Sequence, residues 1–376
     1  MGAPTETYID PSIAADSGTG TSGDPYGDVQ YALNQVTRDS TNGDRFNIKQ
    51  GTDEILGSTL SFAIFGSTFT DTAPLIFRGY SSTAGDTGIG GITGNAGNFS
   101  IVSLGTTDFI YFVNLHLHNT GSATVITVDD DCRFINCEIN NSTGGGISCD
   151  NRVVAANNHI HDIAGLGITF TYGTVIYNTF ENGGTNKFTI ACDHESTTPA
   201  FIAFNVFDLD STSDGIKGSS HAVILNNSLY GGGSGTGEAI GNHGSSSSMA
   251  IVMNNVIQGF NGAGGDAIEL GASAQISLYG YNSSRTNANE FTLTGDVLED
   301  LSANDDTGLG SDIFTNAGSD DFSVNDVGNV KAGAFVTSFG GFSQTNYLDR
   351  GAVQRIEGAG GGGIITHPGM TGGIRG

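Results

Sequence analysis

Histidines recur at matching places in a repeated phrase of the sequence. His116 and His118 flank a leucine in NLHLHN, and His159 and His161 flank an isoleucine in NNHIHD. Side chains alternate along a β-strand, so the residues on either side of an inward apolar residue both point outward. Aligned with the phrases FINCEINN, VIYNTFEN and IAFNVFDL, this predicts two outward columns, one reading His116, Glu138, His159, Thr179 and Val206, the other His118, Asn140, His161, Glu181 and Asp208.

This surface of imidazoles and carboxylates could carry chemistry. Such groups, about 5 Å apart on neighbouring strands, can bind a divalent metal ion or act as acid and base near neutral pH. A polar ladder that merely stacks on a solvated sheet face would have the same composition, so all three interpretations stay open. The candidate catalytic residues are His116, Glu138, His159, His161 and Glu181, and the candidate metal ligands are His116, Glu138 and His159.

A run of three carboxylates, Asp129, Asp130 and Asp131, precedes Cys132. Carboxylate oxygens are the ligands that calcium prefers, so these three residues are further candidate metal ligands. The run lacks both the EF-hand spacing and the glycine-rich nonapeptides of calcium-filled β-rolls, and a solvated acidic turn would look the same. Calcium is the one possible cofactor, and no other is expected.

Two columns of identical residues recur in phase along the chain. Segments such as RVVAANNHI and AVILNNSLY are short, rich in β-branched residues and bounded by Gly, Ser and Asn, which indicates strands. Repetition at 20 to 28 residues is typical of a solenoid with one repeat per coil. The first column contains Asn158, Asn178, Asn205, Asn227, Asn255 and Asn282, and the second contains Ile147, Ile168, Ile190, Ile216, Ile240 and Ile268.

The repeat predicts an all-β fold, a single-stranded right-handed parallel β-helix. Coils stacked at about 4.8 Å let each strand bond to its equivalents above and below and bury the isoleucine column. An asparagine at each corner can take the left-handed backbone conformation and pair its amide with the next asparagine, so this column is expected to be structural. Asp28 is expected to cap a helix that covers the first coil, with Val29, Ala32, Leu33 and Val36 on one apolar stripe.

The segments YIDP, DRFNIKQGTDEIL and APLIFRGYSS, with DDFSVNDVGNVKAGAFVTSFGG and NYLDRGAVQR near the other end, resemble the pectate-lyase-like β-helix superfamily over residues 7–356. The resemblance implies the fold more than an activity. Of the paired Asp, Gly-His-Gly and Arg-Ile-Lys set of its polygalacturonases, only fragments such as TSDGIKG and GNHG occur. The expected organisation is an N-terminal segment and capping helix at 1–40, coils at 41–287, closing coils and a cap at 288–356, and a glycine-rich tail at 357–376.

The composition of the chain restricts the classes of molecule that it can bind. The formal charge of −26 opposes binding to nucleic acid, to anionic membranes and to polyanionic substrates unless calcium intervenes. No apolar run is long enough to span a membrane, and the first residues do not resemble a signal peptide. Cys132, Cys137, Cys149 and Cys192 are expected to be buried and reduced, with no disulfide between Cys149 and Cys192 because two coils separate them.

The glycine-rich tail contains Ile364, Ile365, Met370 and Ile374, which could dock on a partner subunit. Such tails are similar to those of bacteriophage virion proteins. The leading expectation is a non-enzymatic, homo-oligomeric virion component, such as a capsid decoration, fibre or spike, made in a host cytoplasm and bound to other virion subunits. The alternatives are an extracellular polysaccharide lyase or glycoside hydrolase, and a glycan-binding adhesin that uses tyrosines such as Tyr172, Tyr177 and Tyr230.

Overall fold

Parallel strands stacked coil on coil build the protein. The contacts of the chain divide it into two compact units, Met1–Phe170 and Thr171–Gly376. In each unit a coil contributes one strand to each of three parallel sheets. The predicted parallel β-helix is therefore confirmed, and its right-handed sense stays a prediction. The computed structural model describes residues 2–66, 68–94, 98–104, 109–129, 131–183, 188–192, 199–209, 213–218, 222–232, 237–242, 248–270, 275–293, 296–325, 327, 330, 351–352, 355–356 and 363–364.

The first unit contains the helix α1 (Val29–Gln35) and three sheets, ordered β1-β2-β4-β7-β10-β13, β3-β5-β8-β11-β14 and β6-β9-β12-β15. The strands are β1 (Thr5–Ile9), β2 (Asp44–Lys49), β3 (Glu54–Ile55), β4 (Leu75–Tyr80), β5 (Gly90–Thr93), β6 (Val102–Ser103), β7 (Ile110–Val113), β8 (Leu115–His118), β9 (Ile126–Val128), β10 (Cys132–Ile135), β11 (Glu138–Ser142), β12 (Ile147–Cys149), β13 (Arg152–Ala156), β14 (His159–Ile163) and β15 (Ile168–Phe170).

The second unit repeats this plan with sheets β16-β19-β22-β25-β28-β31, β17-β20-β23-β26-β29 and β18-β21-β24-β27-β30, followed by two antiparallel pairs. The strands are β16 (Tyr172–Ile176), β17 (Thr179–Gly183), β18 (Phe188–Cys192), β19 (Ala200–Ala203), β20 (Val206–Asp208), β21 (Asp214–Lys217), β22 (Val223–Leu225), β23 (Ser228–Tyr230), β24 (Ile240–Asn242), β25 (Ser248–Met253), β26 (Val256–Gln258), β27 (Asp266–Leu270), β28 (Gln275–Gly280), β29 (Ser283–Arg285), β30 (Asn289–Leu293), β31 (Asp296–Leu301), β32 (Phe314–Asn316), β33 (Asp321–Val324), β34 (Arg355–Ile356) and β35 (Gly363–Ile364), with short 3₁₀ helices at Ser302–Asn304 and Ala317–Ser319.

Identical side chains stack inside the coils. Phe77, Phe112 and Phe134 stack in the first unit, with ring centroids 5.7 and 5.0 Å apart. The isoleucine column is in register in both units, as in the pairs Ile147–Ile168 and Ile216–Ile240, and its members are buried. Burial of matched apolar side chains, at about 25 cal/mol per Å², therefore fixes the coil register.

The asparagine column forms a continuous ladder in the second unit. The Oδ1 atom of Asn205 accepts both the backbone N–H and the Nδ2–H of Asn178, each at 3.0 Å. The same pattern continues through Asn227, Asn255 and Asn282. The predicted amide pairing is therefore confirmed.

The prediction that the column asparagines take the left-handed conformation was wrong. The preceding residue does so instead, with φ between 52° and 59°. Two residues share the corner because it has two requirements. One residue must turn the chain, and the side-chain amide of the next must hydrogen-bond within the ladder. The left-handed residues are Asn157, Tyr177, Phe204, Asn226, Asn254 and Tyr281.

Helix α1 begins as predicted. The side chain of Asp28 accepts a hydrogen bond from the backbone N–H of Tyr31 at 2.5 Å, and Val29, Ala32 and Leu33 are buried. The prediction that Val36 belongs to the same helical stripe was wrong, because the helix ends at Gln35 and Val36 is extended. The helix contacts β1, as expected for a cover over the first coil. Within the described residues no helix has the length and apolar character needed to span a membrane.

In the second unit, the hairpin β32–β33 lies against the outer side of the sheet that contains β20 and β26. Val206 and Val256 occupy the outward column of that sheet, yet they are buried. They belong to an apolar cluster with Ile313, Phe314, Ala317, Phe322, Val324, Val330 and Ala352. This part of the outer face is thus covered by the chain itself.

The cysteine and tail predictions are tested in part. Cys132, Cys137 and Cys149 are buried and form no disulfide, and burial raises the pKa of the Cys137 thiol to about 12. The Cys192 side chain is not described. Gly363–Ile364 pairs with Arg355–Ile356, whereas Ile365, Met370 and Ile374 lie outside the described residues, so docking of the tail stays a prediction.

Candidate functional site

The two outward columns predicted from the repeat are present in the first unit. Strand β11 pairs with β8 and β14 so that Glu138 lies between His116 and His159. In the same register Asn140 lies between His118 and His161. The inward residues of these strands, Leu117, Ile139 and Ile160, are buried and hold the strands in phase.

Asp53 adds a carboxylate that sequence reasoning missed. Gly91 is the register partner of His116 on β5, and a methyl group at Gly91 would overlap the carboxylate of Asp53. Asp53 therefore fills the place of a side chain in the column, with its Oδ2 atom 3.6 Å from Nδ1 of His116. The signal in the sequence was a glycine at the position where the following coils have His116, Glu138 and His159.

Asn140 joins the first two histidines. Its Oδ1 atom lies 3.1 Å from Nε2 of His116 and 2.7 Å from Nδ1 of His118. A carbonyl oxygen can only accept, so with the amide in this orientation each of these two ring nitrogens donates a hydrogen bond. Asn140 thus acts as an acceptor between two histidines of the neighbouring coil.

His161 is held by two carboxylates. Its Nε2 atom is 3.3 Å from Oε1 of Glu138, its Nδ1 atom is 3.0 Å from Oδ2 of Asp162, and its ring stacks on His159 at 4.3 Å. Burial alone would lower the pKa of His161, but the hydrogen bonds to Glu138 and Asp162 outweigh it and raise that pKa. The hydrogen bond from His161 lowers the pKa of Glu138, against the opposing effect of burial. The pair therefore favours imidazolium and carboxylate.

The contacts of this face run largely within the face itself. Two histidines donate to Asn140, and His161 binds Glu138 and Asp162. In the described part of the chain, no three His, Cys, Asp or Glu side chains are arranged to hold a metal ion. The arrangement can store a proton on an imidazole, and a role in metal binding or catalysis stays a prediction.

The remaining predicted site residues lie elsewhere. Both carboxylate oxygens of Asp131 bind the guanidinium of Arg152, one of them at 2.6 Å from Nη2, so a calcium ion there would compete with a bidentate ion pair. The backbone carbonyl of Asp129 accepts from Asn151, and Asp130 lies outside the described residues. Glu181 belongs to the second unit.

Glu181 is the register partner of Asp208 on β20. Tyr230, a candidate for glycan stacking, packs partly buried against the apolar cluster of the hairpin, whereas Tyr177 stacks on Phe204 at 5.2 Å. Neither of these tyrosines lies in the unit that carries the histidine columns.

A groove of about 420 Å³ opens in the first unit beside α1. Its lining includes Ile13, Asp28, Asp53, Glu54 and Ile55. Glu54 is only 6% exposed, and burial, followed by the negative charge of Asp28, raises its pKa to about 7. Because Asp53 also contacts His116, the groove reaches the end of the histidine column.

Two neighbouring carboxyl groups, those of Glu238 and Glu269, lie in the second unit. Burial and the neighbouring carboxyl of Glu269, which lies within hydrogen-bonding reach, raise the pKa of Glu238 to about 9. Asp214 accepts from the backbone N–H of Glu238 at 2.8 Å. Lys217 lies two register steps from Glu269, and His243 is outside the described residues.

Comparison with the models of known protein families gave no match, and comparison with curated proteins gave none either. The class defined by the structure is therefore the parallel β-solenoid. Membership of the pectate-lyase-like superfamily, expected from the sequence segments, stays a prediction.

Proposed function

We propose that this protein is a non-enzymatic structural component of a virus particle, most simply of a bacteriophage. The observation that carries the proposal is the bonding pattern of the histidine columns. Their imidazoles bind Asn140, Glu138 and Asp162, which are groups of the same face. Such a surface contributes to stability without needing a substrate.

Two further features support this role. Sheets held by in-register ladders and buried asparagines resist local opening, which suits a part exposed to proteases. The charge of −26 keeps a protein soluble and limits nonspecific contacts, including those with nucleic acid. The partners proposed here are other virion subunits or further copies of the chain, and membership of the pectate-lyase-like superfamily would explain the scaffold.

The test is to purify particles from the native source and to measure by mass spectrometry whether the chain sediments with them. Stoichiometric recovery in particles is the expected result. The variant with His116→Ala and His159→Ala should still assemble, because assembly does not use these side chains. Recovery of the chain only in the medium, together with cleavage of a polysaccharide that this variant cannot perform, would replace the proposal with an enzyme.

The groove favours one second candidate, a glycan-cleaving enzyme. A carboxyl group with a pKa of about 7, such as Glu54, is protonated often enough near neutral pH to serve as a general acid, and Asp53 offers a second carboxylate. Glu54→Gln would then abolish cleavage, whereas Glu6→Gln, which changes an exposed glutamate on β1, would not. Equal activity of both variants would exclude this role for Glu54.

A further inference from the structure

The hairpin β32–β33 of the second unit is held on the sheet by an apolar contact and a polar clamp. The apolar part is the cluster around Val206 and Val256. In the clamp, Gln258 accepts from the backbone N–H of Ile313 at 2.8 Å and donates to Asp312 at 3.2 Å, and Asp312 also lies 3.2 Å from Nη1 of Arg285. The hairpin thus docks through side chains, whereas the coils dock through backbone ladders.

One contact of this interface depends on a proton. The carboxyl group of Asp320, at the turn of the hairpin, lies within hydrogen-bonding reach of the carboxyl group of Asp208 on β20. Two carboxylates cannot bond to each other unless one of them is protonated. The contact between Asp208 and Asp320 is therefore favourable only while Asp208 carries a proton.

The surroundings of Asp208 make ionisation costly. Glu181 on β17 and Asp320 on the hairpin act on it with negative charge, and Tyr230 on β23 is the neighbouring phenol. The nearest positive group in the clamp, Arg285 on β29, is paired with Asp312. Burial, followed by the effect of Asp320, raises the pKa of Asp208 to about 7.

We propose that residues 312–324 form a pH-controlled strap, which lies on the outer face of β20, β23 and β26 while Asp208 is protonated and opens when Asp208 is ionised beside Asp320 and Glu181. The folded pKa of Asp208 lies above its ordinary value of 3.8, so the contact stabilises the docked strap fully at low pH and loses this effect as pH rises through about 7. Opening would expose the apolar side chains of Val206 and Val256.

The chain contains no tryptophan, so one introduced residue reports on the strap alone. In full-length Phe322→Trp, acrylamide quenching of the indole should rise severalfold from about pH 5 to about pH 9, the range in which Asp208 loses its proton. Adding Asp208→Asn should keep quenching low at both pH values, because an amide carries no charge and can donate to Asp320 at either pH. Adding Glu299→Gln, which removes an exposed charge away from the strap, should leave the pH response intact.

Two results would overturn the strap. One is quenching that does not change with pH in Phe322→Trp, and the other is an unchanged pH response after Asp208→Asn. Circular dichroism at both pH values shows whether the coils stay folded. If tryptophan at position 322 disturbs packing, Leu309→Trp places the probe at the partly buried edge of the same cluster and is read in the same way.

Discussion

At the scale of single residues, the outward face of the first unit is a set of acid and imidazole contacts. Asp53 lies beside His116, and Glu138 lies beside His161. Each contact joins residues of different coils, so the pairing links strands that the backbone already joins. The contribution of each contact to the free energy of unfolding depends on the charge of both side chains.

This dependence predicts how the stability of the protein varies with pH. The raised pKa of His161 gives a contribution that is present below 6.5 and lost as pH rises through the folded value, whereas the lowered pKa of Glu138 gives one that is present above 4.5 and lost as pH falls. A double-mutant cycle with His161→Asn and Glu138→Gln should therefore give most coupling between these limits. Because Glu138 is partly exposed, the coupling should be on the order of 1 kcal/mol or less.

The measurement is the free energy of unfolding of the four proteins over a pH series. His118 and Asn140 provide a matched control, because their hydrogen bond contains no carboxylate and should show little change over the acidic part of the series. A coupling between His161 and Glu138 that stays constant from acid to mildly alkaline pH would contradict the assignment.

The sequence predicted much of this face and missed one part for a physical reason. Alternation along a strand placed Glu138 and His161 outward, and the repeat placed them on neighbouring coils. Asp53 lies in a stretch outside the repeated phrase, and its approach depends on the missing side chain of Gly91. Such a contact, in which a carboxylate from one segment fills a gap in another, depends on the three-dimensional fold and leaves no pattern in the sequence.

At the scale of elements, the asparagine ladder predicts that removing one amide side chain lowers the free energy of unfolding strongly. Asn227 accepts two bonds from Asn205 and donates to Asn255 and to the carbonyl of Ile202. Asn227→Ala leaves the buried donors of Asn205 without an acceptor, so the free energy of unfolding should fall by roughly 2–5 kcal/mol. Denaturant titration measures the loss.

The matched control is Asn316→Ala, an exposed asparagine whose side chain makes no capping bond, for which a change within about 0.5 kcal/mol is expected. Equal stability of Asn227→Ala and the unmodified chain would show that the ladder adds little to the backbone pairing of the coils.

Element prediction succeeded where the signal was local or repeated. The cap at Asp28 and the apolar stripe of α1 follow from adjacent residues, and the coils follow from their period. The docked hairpin is different, because its partners are 50 or more residues away, as in the bond between Gln258 and Ile313. The hydrophobic residues Val206 and Val256, which stand in a largely polar outward column, were the hint in the sequence that another segment covers it.

At the scale of the whole molecule, the dominant physical property is the imbalance of charge. Thirty-nine acidic residues face 13 basic ones, so the folded chain repels itself at neutral pH. Raising ionic strength from about 0.01 M to about 0.15 M shortens the Debye length from about 30 Å to about 8 Å. The thermal midpoint should then rise, by roughly 1–2 °C for each kcal/mol of repulsion removed from a chain of this length.

Calorimetry at the two salt concentrations tests this effect of charge. The same pair of measurements near pH 4.2, where the net charge is close to zero, serves as the control and should show a much smaller shift. A midpoint that falls with salt at neutral pH would mean that specific ion pairs such as Arg152–Asp131 outweigh the general repulsion.

The hydrogen bonds of the asparagine ladder can form only in a fixed order while the chain is being synthesised. The backbone N–H of each ladder asparagine donates to a side-chain oxygen that comes later in the chain. For Asn282 this acceptor is the carboxylate of Asp305, at 2.7 Å. A polypeptide leaving the ribosome therefore always carries one corner whose partner has not yet emerged. The growing end stays ready to template the following coil, and translation of Asp305 ends that state.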